Sequence, residues 1–209
     1  MAISRITLPM DITLYCQQAK LWPSRGQHIL AHYDDQSIVV YQAYNQQIAK
    51  AAVQANNFHA EPVLQAGYSM SRMSWIKTNF LWMMYRSGWA SKPNQTNILA
   101  IRISRQGFEE ILLNATTQGS GPVRLQWDPD HTPSGEKITE RRAIQLGLRD
   151  NMIEKFSRDF IIRITDITDF ARDQAQNAVN SCDSLTMPVE RVYACLNDDA
   201  AKNVNIDVV

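Results

Sequence analysis

Lys77 and Arg86 stand at either end of the apolar run Phe80 to Met84, inside a stretch, Ser71 to Trp89, that holds three of the five tryptophans and three of the eight methionines. A helix that is apolar nearly all round belongs to a core, which accounts for Phe80, Leu81, Met83 and Met84 but not for the cations. Lysine and arginine are seldom buried without a partner, so each needs a carboxylate or an anionic ligand. Lys77 comes just before the expected helix N-terminus, where free backbone N–H groups and the helix dipole already favour an anion. Phosphate binding is the chemistry this pattern points to.

A second set lies in VRLQWDPD, Val123 to Asp130. In a strand Gln126 and Asp128 share a face while Trp127 turns to the other. A carboxylate facing cations at a strand end can take a proton or steady a developing positive charge, and Gln126 beside it can orient a ribose hydroxyl or an amide. Asp128, Gln126 and Lys77 are therefore the candidate catalytic residues. Candidate binding residues are Tyr41, Gln42, Tyr44, Thr78, Arg86, Arg102, Arg124 and Arg142, because aromatic faces for stacking and cations for phosphate suit a planar, phosphorylated molecule. A structural reading stands beside these. Arg102 pairs with an aspartate, Trp127 caps the core, and Asp128-Pro129-Asp130 is a turn whose first carboxylate bonds nearby backbone N–H groups.

These groups need strands that end where they stand. Arg72 to Ile76 reads as a strand, Lys77-Thr78-Asn79 as a turn, and Phe80 to Arg86 as a helix capped by Thr78 or Asn79 and closed by Gly88. Before it, Gln27 to Tyr33 and Ser37 to Gln42 read as a strand pair about Asp34-Asp35, and Asn45 caps a helix with Ile48, Ala49, Ala52 and Val53 on one face. After it come strands at Ile98 to Ser104, Val123 to Trp127, Arg142 to Leu148 and Phe160 to Ile164. Short helices are expected at Gln106 to Leu113, Asp150 to Ser157 and Thr168 to Val179. His131 to Glu140 is expected as a mobile loop, and the chain from Cys182 onward as irregular apart from an extended piece at Arg191 to Leu196. Several strand pairs lack a crossover helix, so the fold class is α+β, a single domain with a mixed or antiparallel sheet and short flanking helices. Residues 1–26 read as an N-terminal arm, 27–196 as the domain and 197–209 as a C-terminal tail.

Composition narrows the function classes. A formal net charge of zero gives no long-range steering toward nucleic acid or an anionic membrane. Cys16, Cys182 and Cys195 show no CxxC spacing and read as free thiols. His28 and His32 fall in an expected strand without a third ligand, so no metal is predicted. Neither a Rossmann GxGxxG, a phosphate-binding GxxxxGK[ST] nor a nucleophile-elbow GxSxG occurs. No apolar run approaches the ~20 residues that span a bilayer and no signal sequence opens the chain, so a soluble, cytoplasmic protein is expected.

YQAYN at Tyr41 to Asn45, MSWIKTNFLWMMYRSGWASKP at Met73 to Pro93 and VRLQWDPDH at Val123 to His131 resemble the bacterial and fungal family known as domain of unknown function 4291. The resemblance runs from about His28 to Leu196. Thr78 and Asn79 stand where that family commonly has Pro and Ser, which leaves the helix cap intact and argues against either side chain as an obligatory catalyst. It implies a shared fold and site and supplies no reaction. At the level of fold alone, a strand ending in YQ with a helix behind it, then a second strand and helix, is similar to the opening of the ADP-ribosyltransferases, which clasp NAD in a split sheet. The expected function is thus an enzyme acting on a nucleotide-like or phosphorylated substrate, with NAD as its cofactor and ADP-ribosyl transfer to a protein or nucleic acid as its reaction. Two readings stand as alternatives: a module that binds a nucleotide or RNA end without chemistry, and an interaction protein whose aromatic stretch forms a homodimer seam.

Overall fold

The structure, a computed structural model, describes residues 10–180 and 183–207. Its strands are β1 (Ile12–Leu14), β2 (Gly26–Gln27), β3 (Leu30–Ala31), β4 (Ser37–Tyr44), β5 (Ser74–Lys77), β6 (Asn97–Ser104), β7 (Ala115–Thr116), β8 (Val123–His131), β9 (Lys137–Leu148), β10 (Ile161–Asp166), β11 (Thr186–Pro188) and β12 (Arg191–Val192). The helices are α1 (Tyr15–Gln18), α2 (Gln46–Ala55), α3 (Glu61–Gln65), α4 (Phe80–Ser87), α5 (Arg105–Leu113), α6 (Asp150–Lys155), α7 (Thr168–Asn180) and α8 (Asp198–Asn203). None among the described residues is long and apolar enough to cross a membrane.

One sheet organises the molecule in the order β10-β6-β4-β5-β9-β8-β7, with β2 beside β9. Its pairings are antiparallel except β7 with β8 and β2 with β9, as the mixed α+β class requires. Alternation along the strands builds a layer on each face. Ile38, Val40, Ile101, Leu125 and Leu146 pack under Ile48 and Ala52 of α2, Phe108 and Ile111 of α5, and Ile153 of α6. On the opposite face Val39, Tyr41, Ile98 and Ala100 pack under Phe80, Leu81, Met83 and Met84 of α4 and Ala171 and Ala178 of α7. Of this large sheet, only β4 and β6 contribute to that second core. Across β5, β9 and β8 the same face presents Lys77, Gln145 and Gln126, which lie directly opposite one another along the register.

The expected caps fall where the sequence places them. Asn45 accepts from the Ile48 N–H at 3.0 Å, Asn79 rather than Thr78 accepts from the Trp82 N–H at 2.7 Å, and Gly88 ends α4 at φ 60°. Other expectations are corrected. Gln27 to Tyr33 is not one strand: β2 pairs with β9, β3 pairs with β12, and a single bridge joins Tyr33 to Ile38. Three separate partners share its backbone, and a local pattern cannot show that.

The strand beginning at Val123 continues to His131, with a register shift between Pro129 and Asp130. Proline lacks the N–H a ladder needs and is accommodated at such a bulge, so Asp128 is a strand residue rather than the start of a turn. The expected mobile loop after His131 is mostly hairpin, closed by the Thr132 N–H on the Glu136 carbonyl at 2.9 Å. Within the expected tail, Asn197 caps α8, and Ala200 and Val204 are buried in the core. Cys16 and Cys195 are free thiols, while Cys182 lies outside the described residues.

Candidate functional site

β4 and β5 touch through one register pair, Tyr41 with Lys77, and then part: beyond it β4 pairs with β6 and β5 with β9. The parted ends are held by side chains. Gln42 Nε2 donates to Ser74 Oγ at 2.7 Å and to the Trp75 carbonyl at 3.2 Å, and the Tyr44 hydroxyl lies 3.2 Å from the same Ser74 Oγ. A cleft of about 770 Å³ opens here, within the size range of small-molecule sites. It is lined by Gln42, Tyr44 and Tyr68, by Met83 and Arg86 of α4, and by Lys77, Trp75, Gln126 and Gln145 of β5, β8 and β9. Gly147 gives Trp75 its room, since a Cβ there would stand 3.1 Å from Trp75 Cε2 and 2.5 Å from Met73 Sδ.

Lys77 is 5% exposed and its ammonium group has neither a hydrogen bond nor an ion pair among the described residues. Burial lowers its pKa from 10.5 to about 8, and the positive charge of Arg86 adds to the effect against the opposing charge of Asp128. Asp128 is engaged through a neighbour. Gln145 Nε2 donates to Asp128 Oδ2 at 2.5 Å and to Gln126 Oε1 at 3.0 Å, so one amide ties β8 to β9 beside the lysine. Arg86 and Arg72 are exposed at the cleft without a carboxylate partner among the described residues.

The expected anion site at the α4 N-terminus is corrected by Glu190. Its Oε1 accepts from the Phe80 N–H at 2.6 Å and its Oε2 from Asn79 Nδ2 at 3.4 Å. The side chain is buried, which pushes its pKa well above the usual carboxylate range. The chain therefore satisfies this helix end from within, and Lys77 turns to the cleft instead.

Of the candidate residues, Gln42, Tyr44, Lys77, Arg86 and Gln126 come together at the cleft. Asp128 stands behind Gln145. Tyr41 is buried edge-on to Phe80, with ring centroids 5.7 Å apart, and Thr78 is buried with its hydroxyl unbonded among the described residues. Arg102 lies toward the other end of β6, bonded to Asp34 at 2.9 Å and to Ser37 Oγ at 2.6 Å, the structural role weighed for it. Trp127 donates to the Val204 carbonyl at 2.9 Å and packs against the core. Arg124 is exposed and Arg142 half-buried, and neither lines the cleft. Gln145, Trp75, Tyr68 and Glu190 were not legible as site residues. Gln145 joins only through cross-strand register, and Glu190 only through a contact spanning more than half the chain.

Residues 28–193 match the model of the family described as Domain of unknown function (DUF4291). The chain belongs to the DUF4291 family. The matched segment of this DUF4291 protein includes every cleft residue named above and Glu190, and it stops before α8. No curated protein and no solved structure matches the chain.

Proposed function

We propose that the cleft takes a nucleotide-like, phosphorylated molecule and that the protein is an enzyme acting on it, with NAD-dependent ADP-ribosyl transfer as the reaction. The observation that carries this reading is the presence of three cations without carboxylate partners among the described residues, Lys77, Arg72 and Arg86, around a cleft that also holds the rings of Tyr44, Tyr68 and Trp75. Exposed guanidinium groups favour phosphate oxygens, and aromatic rings favour a base or a nicotinamide. The parting of β4 from β5 supports it too, because a ligand between two strands reaches side chains of both. In such a transfer the bond from the ribose to nicotinamide breaks, nicotinamide leaves with the bonding pair, a bond from the acceptor to the ribose carbon forms, and the acceptor's proton passes to solvent. The ribose carbon passes through positive charge that the Asp128 carboxylate steadies at a distance, from behind Gln145, which also bonds Gln126.

One observation favours binding without chemistry: Asp128 is bonded to Gln145 and is not in the cleft lining. Thermal shifts with NAD, ADP-ribose, ATP and short RNA, followed by assay of nicotinamide release, separate the two. A ligand at 100 times its Kd stabilises the native state by about 2.7 kcal/mol, so NAD or ADP-ribose should raise the melting temperature. Nicotinamide release that falls ~100-fold in Asp128→Asn at unchanged melting temperature marks an enzyme. A shift with no release marks a binding module, and no shift with any ligand rejects both. A homodimer seam has little support in α4, whose Phe80, Leu81, Trp82, Met83 and Met84 are buried within the chain and whose Tyr85 is its one exposed aromatic ring.

A further inference from the structure

Lys77 does not behave as an ordinary phosphate ligand. A lysine recruited only for charge usually keeps its ammonium in water or against a carboxylate, whereas Lys77 is almost wholly buried, bonds to nothing among the described residues, and lines an open cleft. The cations that do stand in water at the same cleft are Arg72 and Arg86. Charge recognition is thereby separated from the amine: two guanidinium groups at the opening are available to phosphate, and one amine lies beneath them. The groups acting on that amine by charge are Arg86 from α4 and Asp128 from β8, and Gln145 holds Asp128 in place.

Resting on the reading of the cleft as a phosphate-binding site, we infer that Lys77 is a nucleophile that condenses with the aldehyde carbon of a phosphorylated sugar, the open-chain form of a ribose phosphate being the class that fits. The neutral amine adds to the carbonyl carbon to give a carbinolamine. Its two hydrogens then leave with the carbonyl oxygen as water, and a carbon–nitrogen double bond joins sugar to lysine. No oxidant, reductant or metal enters the balance. Burial supports the step by keeping a large neutral fraction of the amine near pH 8, where an exposed lysine is almost wholly protonated. The open cleft leaves an exit for the water, and hydrolysis by the reverse path releases the sugar.

The test uses the full-length chain with ribose 5-phosphate or ADP-ribose and sodium cyanoborohydride, which reduces the imine to a stable secondary amine located by peptide mass mapping. Ribose without phosphate and ADP without an aldehyde serve as controls. The other six lysines of the chain are internal references. Labelling at Lys77 is expected to exceed that at each of them, and that by unphosphorylated ribose, by at least ten-fold, to rise between pH 7 and pH 9, and to vanish in Lys77→Arg while ADP still shifts the melting temperature. A melting-temperature shift by ADP or ADP-ribose with no selective label at Lys77 overturns the imine and leaves the phosphate site standing. Equal labelling by ribose with no shift by ADP overturns the phosphate site and with it the assignment of the sugar. Label spread evenly over the surface lysines overturns the proposal.

Discussion

Lys77 links the stability of this protein to pH in a direction that follows from its burial. With a folded pKa of about 8 against 10.5 in the unfolded chain, both states hold the proton below pH 8, and the burial penalty is then fully present. Between about 8 and 10.5 the folded state gives up its proton first, so stability rises with pH, and above that window the amine is neutral in both states. The difference corresponds to about 3 kcal/mol. Lys77→Met is therefore expected to raise unfolding free energy at pH 7 by up to that amount and to lose most of the gain by pH 10, as urea titrations at the two pH values would show. The same gain at both would mean that the amine bears no such penalty. Phosphate falls to the exposed guanidinium groups instead, so Arg72→Ala should weaken binding by roughly 1–3 kcal/mol, the scale of a charge-assisted hydrogen bond, which isothermal titration with ADP-ribose measures.

At the scale of the element, α4 carries both a core face and a cleft face, and its residues should separate on mutation. Met83 is buried, so Met83→Ala should cost about 2–5 kcal/mol through the cavity it leaves. Arg86 is exposed and makes no ion pair among the described residues, so Arg86→Ala should change stability by no more than about 0.5 kcal/mol while weakening ligand binding. Paired melting and binding measurements on the two variants check this, and an Arg86→Ala protein that fails to fold contradicts it. The N-terminus of the same helix depends on Glu190. Glu190→Ala removes the acceptor of the Phe80 N–H and should cost about 1–3 kcal/mol, whereas Glu190→Gln keeps an acceptor without the charge and should be at least as stable as the native chain at pH 7. The folded pKa of Glu190 is raised, so its native carboxyl stabilises the fold at low pH and loses that contribution as pH rises through the folded value. Denaturation of Glu190→Gln across pH 5 to 8 should show this dependence removed.

Across the whole molecule, the last helix closes the core. Val204 accepts the Trp127 Nε1–H at 2.9 Å, Asn203 Nδ2 donates to the Leu112 carbonyl at 2.7 Å and the Ala115 carbonyl at 2.8 Å, and Asp207 accepts from the Gln27 N–H at 2.8 Å. Ending the chain at Leu196 would uncover Ala200's and Val204's neighbours and strand the Trp127 and Gln27 N–H donors and the Leu112 and Ala115 carbonyl acceptors. Truncation should lower the melting temperature by several degrees, since each buried group left unpaired costs roughly 1–3 kcal/mol. Limited proteolysis of the truncated and full chains offers a second measure, and equal resistance of the two would show that α8 is dispensable.

Local patterns determined a good deal. Asn45, Asn79 and Gly88 mark helix ends because caps and left-handed closures act within a few residues, and the alternation in VRLQWD sets Arg124, Gln126 and Asp128 on one face because strand side chains repeat every two residues. The basic and aromatic stretch from Ser71 to Trp89 drew attention to Lys77 for the same reason: unpartnered cations beside a buried helix are a local anomaly. Only the tertiary structure decided what answers them. Glu190 fills the helix end that the local pattern leaves open to an anion, Arg102 finds Asp34, and Gln145 reaches Asp128 only because β8 and β9 pair in one register. Such contacts join residues far apart in the chain, and their energy depends on how strands are ordered and aligned, which no window of sequence contains.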